Sequence, residues 1–222
     1  MKAVVLLSGG LDSSTTCAMA SDMGYDIHAL TILYGQTHKK EVRSAGRVGS
    51  SLGVLEHRVI ELPVGMFSKS ALTGDLAIPM DRDISDETNI PDTYVPARNL
   101  VFLSIASAWA EALDADAIFI GATAMDYSGY PDCRPEFISS FYETLRLATR
   151  KGIEGVPIKV KAPLLHMTKD QIILKGLELG LDHSLTWSCY SGGDKACGRC
   201  DSCLFRLKGF EKAGMKDPLE YE

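Results

Sequence analysis

Hydrophobic and polar positions change their period several times along the first part of the chain. Apolar runs at 3–7 and 27–34 are short and nearly continuous, as in parallel strands that are buried on both faces, and 56–62 predicts a third strand. Between these runs, residues 13–24 predict a helix that ends at a glycine, and apolar residues recur at helical spacing over 42–52. This part of the chain therefore predicts strands that alternate with helices.

The same alternation continues further along the chain. Residues 117–120 and 158–160 predict two more strands, and helices are predicted over 99–113, 137–148 and 168–180. The last of these helices opens with the signature of a capping box. Strands alternating with helices predict an α/β fold, with a Rossmann-like parallel five-stranded sheet covered by helices on both faces. Ligands of such sheets bind beyond the carboxyl ends of the strands.

Two polar, irregular segments interrupt this pattern, at 68–96 and at 126–134. The first contains a glycine and several prolines, and a loop of this length within a compact domain is commonly functional or disordered. Its position would allow it to close over a ligand, and we leave open whether it acts as a lid.

Length and composition fit one globular domain with a small appendage. The chain has 222 residues, of which 45% are hydrophobic, and a formal net charge of −6. The acidic balance disfavours a role in nucleic-acid binding, because phosphate contacts require a basic surface. The first apolar run is too short for a secretion signal or for a membrane span, which needs about 20 residues. We therefore expect a cytoplasmic protein that binds neither nucleic acid nor membrane.

A glycine-rich turn joins the first predicted strand to the first predicted helix. The turn and the start of the helix comprise Ser8, Gly9, Gly10, Leu11, Asp12, Ser13 and Ser14. Glycines allow backbone N–H groups to approach an anion, and a helix start presents unpaired N–H groups with a partial positive charge. This turn resembles the S-G-G-x-D-S signature of the PP-loop ATP pyrophosphatases. The alternative is a glycine-rich turn without a ligand.

The PP-loop resemblance implies how these residues are used. Members of that superfamily bind the pyrophosphate of ATP in this loop and usually transfer AMP to a substrate oxygen. Asp12 is then expected to help place Mg²⁺ or the nucleotide. The resemblance also implies an adenine nucleotide alpha hydrolase-like sheet domain over 1–186, with a cysteine-rich tail over 187–222 packed on the same domain.

Four of the six cysteines are clustered in that tail. They are Cys189, Cys197, Cys200 and Cys203. Four converging thiolates favour a structural Zn²⁺, and an iron–sulfur cluster or free thiols are the alternatives. Cys17 is interpreted as a small buried hydrophobic residue, and Cys133 is left open as a candidate nucleophile.

Three further segments, 34–41, 95–99 and 121–137, lie near the carboxyl ends of predicted strands or the starts of helices. With the phosphate loop and the cysteine tail, they resemble the 7-cyano-7-deazaguanine synthase family over essentially the whole chain. The resemblance implies a ligase that uses ATP, Mg²⁺ and Zn²⁺ and converts 7-carboxy-7-deazaguanine and ammonia to the nitrile preQ0. That product feeds queuosine or archaeosine synthesis. A homodimer is also implied.

We assign roles to individual residues as hypotheses, of which the role of Lys169 rests on the PP-loop resemblance. Arg98 is expected to hold phosphate or the substrate carboxylate, and Lys169 to reach the phosphates of ATP. The alternatives are a surface salt bridge for Arg98 and a solvated lysine for Lys169. His38 and Glu41 are candidates for contacts with substrate or a partner, or plain surface residues. The deazaguanine pocket is expected to be formed by Tyr127, Tyr130, Asp132 and Arg134.

Other functions compete with this interpretation. A PP-loop tRNA thiolase also adenylates its substrate, but it needs a basic RNA-binding surface. Amidotransferases of the superfamily share the loop and lack the cysteine tail. A nucleotide-binding sensor without catalysis is the alternative from another class. No segment predicts a glutaminase, so ammonia is expected to arrive free or from a partner.

Overall fold

The computed structural model of the chain describes residues 1–36, 39–63, 65, 67, 70–74, 76–84, 90–125 and 130–222. The strands are β1 (Lys2–Leu6), β2 (Asp26–Leu33), β3 (Glu56–Glu61), β4 (Ala117–Phe119) and β5 (Lys159–Lys161). The helices are α1 (Leu11–Asp22), α2 (Lys40–Ser51), α3 (Arg98–Ala112), α4 (Pro135–Ala148), α5 (Arg150–Ile153), α6 (Lys169–Glu178) and α7 (Asp201–Lys212). Two short 3-10 helices span Pro131–Cys133 and His183–Leu185.

The strands form one parallel sheet in the order β3-β2-β1-β4-β5. In the central strand β1, Ala3 pairs with Ile27 on one side and with Ala117 on the other. The chain leaves β1 towards β2 and β3, and later returns to the other side through β4. The order therefore reverses between β1 and β4, and such a switch point opens a crevice at the carboxyl ends of the strands.

Helices cover both faces of the sheet, as the alternating pattern predicts. On one face, strand residues such as Val4 and Ile118 pack against Leu103 of α3 and Phe141 of α4. On the other face, the neighbouring positions of the same strands pack against Cys17 of α1 and Val48 of α2. Successive strand residues point to opposite faces, so nearly continuous apolar runs are required when both faces are buried.

The predicted elements are present with bounds that differ by one or two residues. Gly24 and Gly180 end their helices with positive φ angles of 79° and 77°. The capping box is formed, with Thr168 and Gln171 exchanging hydrogen bonds at the start of α6. Helix α5, the 3-10 helices and the order of the strands are not part of the sequence-based prediction.

The tail beyond Thr186 packs on the sheet domain. Its first residue, Trp187, donates its backbone N–H to Gly9 O in the phosphate loop at 2.9 Å, and α7 lies against α6. The boundary between residues 186 and 187 stays a prediction. In the described part of the chain, every helix is too short or too polar to cross a lipid bilayer.

A buried ion pair holds the end of the tail. Arg206 donates to both carboxylate oxygens of Asp217, at 2.7 Å from Nε and 3.0 Å from Nη2. Both side chains are only 2% exposed. The guanidinium also donates to Thr186 Oγ1 at 2.7 Å and to His183 O at 3.1 Å. The pair therefore ties α7 to the segment that follows α6.

We predict that Asp217→Ala lowers the free energy of unfolding by about 3–5 kcal/mol, because it leaves a buried guanidinium without its counter-charge. The matched control is Glu154→Ala, which breaks the exposed pair Arg150–Glu154 and is expected to cost no more than about 0.5 kcal/mol. Urea unfolding followed by circular dichroism measures both values. Equal losses in the two variants would contradict the prediction.

Candidate functional site

A cavity of about 270 Å³ lies at the carboxyl ends of the central strands, where the strand order reverses. Its floor is apolar and comes from the strands, for example Leu6, Leu30 and Ile120. Another wall comes from the phosphate loop and the start of α1, namely Ser8, Gly10, Leu11, Asp12 and Ser13. Gly9 and Ser14 do not line the cavity and support the loop from behind. The turn predicted to hold phosphate therefore faces an open space.

The serines fix the shape of the phosphate loop. Ser13 Oγ accepts the N–H of Ser8 at 3.1 Å and donates to Gly10 O at 3.1 Å. It also lies 2.9 Å from Ser8 Oγ, and Ser14 Oγ donates to Gly10 O at 2.7 Å. These bonds use much of the hydroxyls' capacity within the loop. The serines therefore shape the backbone cradle as well as facing a ligand.

Helix α1 begins directly at the cavity and has no side-chain cap at Gly10. The first N–H groups of a helix have no partner within it, and together with the helix dipole they attract anions. Across the crevice, the loop after β4 approaches closely: a Cβ at Gly121 would lie 3.0 Å from Ser13 Cα. The site can therefore accept a negatively charged group at the start of α1.

Lys169 reaches the same place from α6. Its Nζ donates to Asp12 Oδ1 at 2.8 Å and to Oδ2 at 2.9 Å, and its side chain is 14% exposed. This geometry disagrees with the solvated alternative. A lysine and a carboxylate at a helix start provide a cation for phosphate and an oxygen ligand for Mg²⁺.

Arg98 opens α3 on the opposite wall of the cavity. Its Nη1 donates to Tyr34 Oη at 3.3 Å, and the guanidinium carbon lies 5.6 Å from the centre of the Tyr34 ring. The preceding residue, Ala97, has a φ of 53° in the left-handed region, which aims the first turn of the helix. Arg98 is thus a partly buried cation that lines the cavity.

Aromatic side chains also line the cavity. They are Tyr34, Phe102, Tyr130, Tyr190 and Phe205. The rings of Tyr34 and Phe102 lie 5.4 Å apart, and Tyr130 forms a hydrogen bond with Thr93 at 3.0 Å. Such walls suit a flat, conjugated ring. Tyr190 and Phe205 belong to the tail, and their proximity to the strands has no signal in the sequence.

The four residues predicted for the deazaguanine pocket have different positions. Tyr130 lines the cavity, whereas Asp132 is buried behind the wall, where it accepts the N–H of Asn99 at 2.8 Å. Arg134 is exposed at the start of α4 and does not line the cavity. Tyr127, like His38, lies outside the described residues. Contact between these residues and substrate stays a prediction, and Asp132 has an evident role in capping α3.

Two residues that the sequence left open do line the cavity. Cys133 Sγ lies 3.2 Å from Asn99 Nδ2, and burial raises the pKa of the Cys133 thiol to about 11. A thiol with this pKa is protonated at neutral pH, which disfavours a nucleophilic role. Glu41 is partly buried in the first turn of α2, and burial raises the pKa of its carboxyl to about 7, with the nearby Arg98 charge acting in the other direction.

The four clustered cysteines converge beside this cavity. Their Sγ atoms all lie within 4.8 Å of one another, and all four residues are buried. Zn–S bonds of about 2.3 Å place tetrahedral sulfur atoms about 3.8 Å apart, and Cys197 and Cys203 are separated by 3.9 Å. Backbone N–H groups also point at the sulfurs, for example from Cys197 to Cys189 Sγ at 3.4 Å. The residues fit a closed tetrahedral metal site.

A family model and known relatives each match nearly the whole chain. A family model described as queuosine biosynthesis protein QueC matches residues 2–214. A 7-cyano-7-deazaguanine synthase from Desulfatibacillum aliphaticivorans is 54% identical over 224 residues, covering 99% of this chain and 96% of the relative. One from Thermoplasma acidophilum is 53% identical and covers 100% of this chain and 92% of the relative.

Similarity to a solved structure concerns the fold alone. The structure of NMN synthetase from Francisella tularensis superimposes with a TM-score of 0.52 at 16% sequence identity. The match covers 97% of this chain and 78% of that protein. It supports the α/β architecture of the sheet domain.

The raised pKa of Glu41 predicts a pH-dependent effect on stability. A carboxyl with a pKa of about 7 when folded and 4.5 when unfolded binds its proton more tightly in the folded state. Its contribution to stability is therefore lost as the pH rises from about 4.5 through about 7. We expect Glu41→Gln to be more stable than the unaltered protein at pH 8 and equal to it at pH 4.5.

Urea unfolding midpoints at four pH values across this range measure the effect. Glu143→Gln, at an exposed carboxylate paired with exposed Arg146, is the control and should show little change in the same comparison. A stability difference for Glu41→Gln that stays constant with pH would show that its carboxyl does not titrate differently in the folded protein.

Proposed function

Because this chain belongs to the queuosine biosynthesis protein QueC family, we propose that it is an ATP-dependent ligase that makes 7-cyano-7-deazaguanine from 7-carboxy-7-deazaguanine and ammonia. The observation that carries the proposal is the continuity of the cavity. A single cavity is lined by a helix start that suits an anion, by aromatic side chains and by the two cations Lys169 and Arg98. Such a space suits a nucleotide and a flat carboxylic acid placed together.

In this proposal, the phosphates of ATP bind at the start of α1. The backbone N–H groups after Gly10 and the hydroxyls of Ser8 and Ser13 face the phosphates, and Lys169 neutralises their charge. Asp12 provides an oxygen ligand for Mg²⁺. The apolar floor from the strands would receive the adenosine.

The deazaguanine ring is proposed to lie among the aromatic side chains, with Tyr34 and Tyr130 closest to Arg98. A guanidinium pairs with a carboxylate through two parallel hydrogen bonds, so Arg98 suits the acid group of the substrate. Asp132 is proposed to act from behind by fixing the start of α3, where Arg98 is anchored. Tyr127 and Arg134 stay candidates for the deazaguanine pocket.

The chemistry explains why a nucleotide is needed. Conversion of an acid to a nitrile removes both carboxylate oxygens, and each leaves only after activation. The first adenylation gives an acyl-adenylate that ammonia converts to the amide. The second gives an adenylated imidate, which forms the nitrile by losing AMP, with the activated oxygen on its phosphate, and the proton on nitrogen. The PP-loop type of site favours AMP as the nucleotide product, with ADP as the alternative.

Zinc is proposed to occupy the cysteine cluster in a structural role. The four thiolates would fill its coordination shell and leave no position for a substrate. An iron–sulfur cluster is the alternative. Other parts of the proposal are a cytoplasmic location, a homodimer, and ammonia supplied free or by a partner. A tRNA thiolase remains the rival enzyme.

We predict that incubation with 7-carboxy-7-deazaguanine, ATP, Mg²⁺ and ammonium gives the nitrile, detected by mass spectrometry, only when all four are present. Lys169→Ala should lower kcat/KM by about 10²-fold or more, because it removes a cation from the transferring phosphates. Lys175→Ala is the control in the same helix, since its exposed pair with Glu178 lies outside the cavity.

The outcomes separate the rival functions. ATP binding without any change in the deazaguanine would reject this substrate and leave the nucleotide site standing. Retention of tRNA in a gel shift would favour the thiolase, and ATP binding without turnover of any acceptor would favour the sensor.

Elemental analysis of the purified protein is predicted to find about one equivalent of zinc and no iron. Cys200→Ser should lose the metal and destabilise the tail, because three thiolates no longer close the site. Cys17→Ala is the control, since Cys17 is buried in the sheet domain and should leave the zinc content unchanged. Iron with visible absorption would instead establish a cluster.

A further inference from the structure

The side chain of Lys169 runs along a narrow path from α6 to α1. Its backbone is fixed by the capping box, in which Thr168 N–H donates to Gln171 Oε1 at 3.0 Å. Its Nζ is held 2.8 Å and 2.9 Å from the two oxygens of Asp12. With both ends fixed, the four-carbon stem has little freedom to move sideways.

Helix α7 of the tail forms one wall of this path, and Gly209 is the residue that meets the stem. A Cβ at position 209 would lie 2.5 Å from Lys169 Cγ and 3.0 Å from Lys169 Cβ. It would also lie 2.9 Å from Ile173 Cδ1 on the next turn of α6. Non-bonded carbon atoms prefer separations of about 3.5–4.0 Å, so even one methyl group does not fit.

The backbone does not explain the glycine at this position. Gly209 lies inside α7 and is absent from the glycines that adopt a positive φ. A glycine in a helix interior destabilises the helix relative to alanine. The close approach of Lys169 therefore accounts for the absence of a side chain.

The position of the contact along the lysine decides its consequence. The methyl group would meet Lys169 at Cγ, which is one bond from Cβ, and the helix backbone holds Cβ in place. Movement of the flexible end of the lysine side chain therefore cannot relieve this contact. A methyl group at 209 must rotate Lys169 about χ1 or push α7 away from α6. In either case Nζ leaves the position at which it meets Asp12.

We propose that Gly209 is a positioning residue for the ligase reaction, and that the space it leaves in the tail helix is what lets Lys169 reach the phosphate site. The inference rests on the proposed function, in which Lys169 contacts the phosphates of ATP. If Gly209 has this role, α7 is part of the nucleotide site. The same helix also carries Cys203 of the cysteine cluster.

The test is a double-mutant cycle on the full-length protein, with nitrile formation followed by mass spectrometry. Gly209→Ala is expected to lower kcat by about 10²-fold, the size of effect that a misplacement of about 1 Å can have. The KM for 7-carboxy-7-deazaguanine should stay near its original value, because Arg98, Tyr34 and Tyr130, which are proposed to hold its acid group and ring, lie outside α7. In Lys169→Ala, which lacks Cγ, the same substitution should lower kcat by less than about threefold.

Two control glycines separate this effect from general consequences of the substitution. Gly46 lies in α2 with open space at its Cβ, so Gly46→Ala tests helix propensity alone. Gly176 lies in α6, where a Cβ would be 2.7 Å from His183 Cε1 and 2.9 Å from Thr15 Oγ1. Gly176→Ala therefore introduces comparable crowding against side chains that do not line the cavity, and it should lower the melting temperature while kcat per folded molecule is retained.

If Gly209→Ala folds poorly, it is combined with Ile173→Val. The second substitution removes the Cδ1 atom that the new methyl group would meet, so that only the contact with Lys169 remains. Loss of kcat only where Lys169 is present supports the proposal. Equal loss with and without Lys169, or full activity of Gly209→Ala, overturns it.

The failure of the proposed function gives a different result. Full activity of Lys169→Ala would remove the lysine from the phosphate site and would overturn the positioning role with it. Nitrile formation that depends on Lys169 but tolerates Gly209→Ala leaves the proposed function intact and rejects the positioning role alone.

Discussion

The close packing around Gly9 holds together three parts of the molecule that are far apart in the sequence. Its φ of 87° lies in the left-handed region, and a Cβ there would lie 2.2 Å from Glu41 O and 2.4 Å from Ala45 N. Helix α2 therefore rests directly on the phosphate loop. From the other direction, Trp187 N–H bonds to Gly9 O at 2.9 Å. Any side chain at this point would separate the loop, α2 and the tail, each of which contributes residues to the lining of the cavity.

The tail is a wall of the site as well as an appendage. A few apolar residues around the cysteines form a cluster of their own, which includes Trp187 and Ala196. So small a cluster buries little apolar surface, and short segments of this kind commonly need a metal or disulfide to hold their shape. With a metal bound as proposed, the cysteine cluster would help to fix where α7 lies, and α7 forms the wall beside Lys169 and carries Phe205, which lines the cavity.

Periodicity and turn residues predict the elements of this fold because they depend on local interactions. Short-range sequence determines the strands with their apolar runs, the helix ends at Gly24 and Gly180, and the capping box. The place of Asp132 could not be predicted in the same way. A carboxylate near a tyrosine-rich motif suggests contact with substrate, but its bond to Asn99 N–H depends on how the segment at 130–133 folds under α3. The approach of Tyr190, Phe205 and Gly209 to the site is also set by tertiary packing.

Two cations that line the cavity, Lys169 and Arg98, each lie beside other groups of the chain. Lys169 is paired with Asp12, while the positive charge of Arg98 opposes the rise in the pKa of the Glu41 carboxyl, and its guanidinium lies near the Tyr34 ring. A cation held in place beforehand has little reorganisation to undergo when a new anion arrives. In the proposed reaction, triphosphate at the start of α1 would compete with Asp12 for Lys169, and Asp12 would then be released towards Mg²⁺. The same exchange at Arg98 would favour an acidic substrate, because a carboxylate satisfies its guanidinium better than the face of an aromatic ring does. In this proposal, the two cations would favour a pair of anionic ligands bound side by side, which is the arrangement that adenylation of a carboxylate requires.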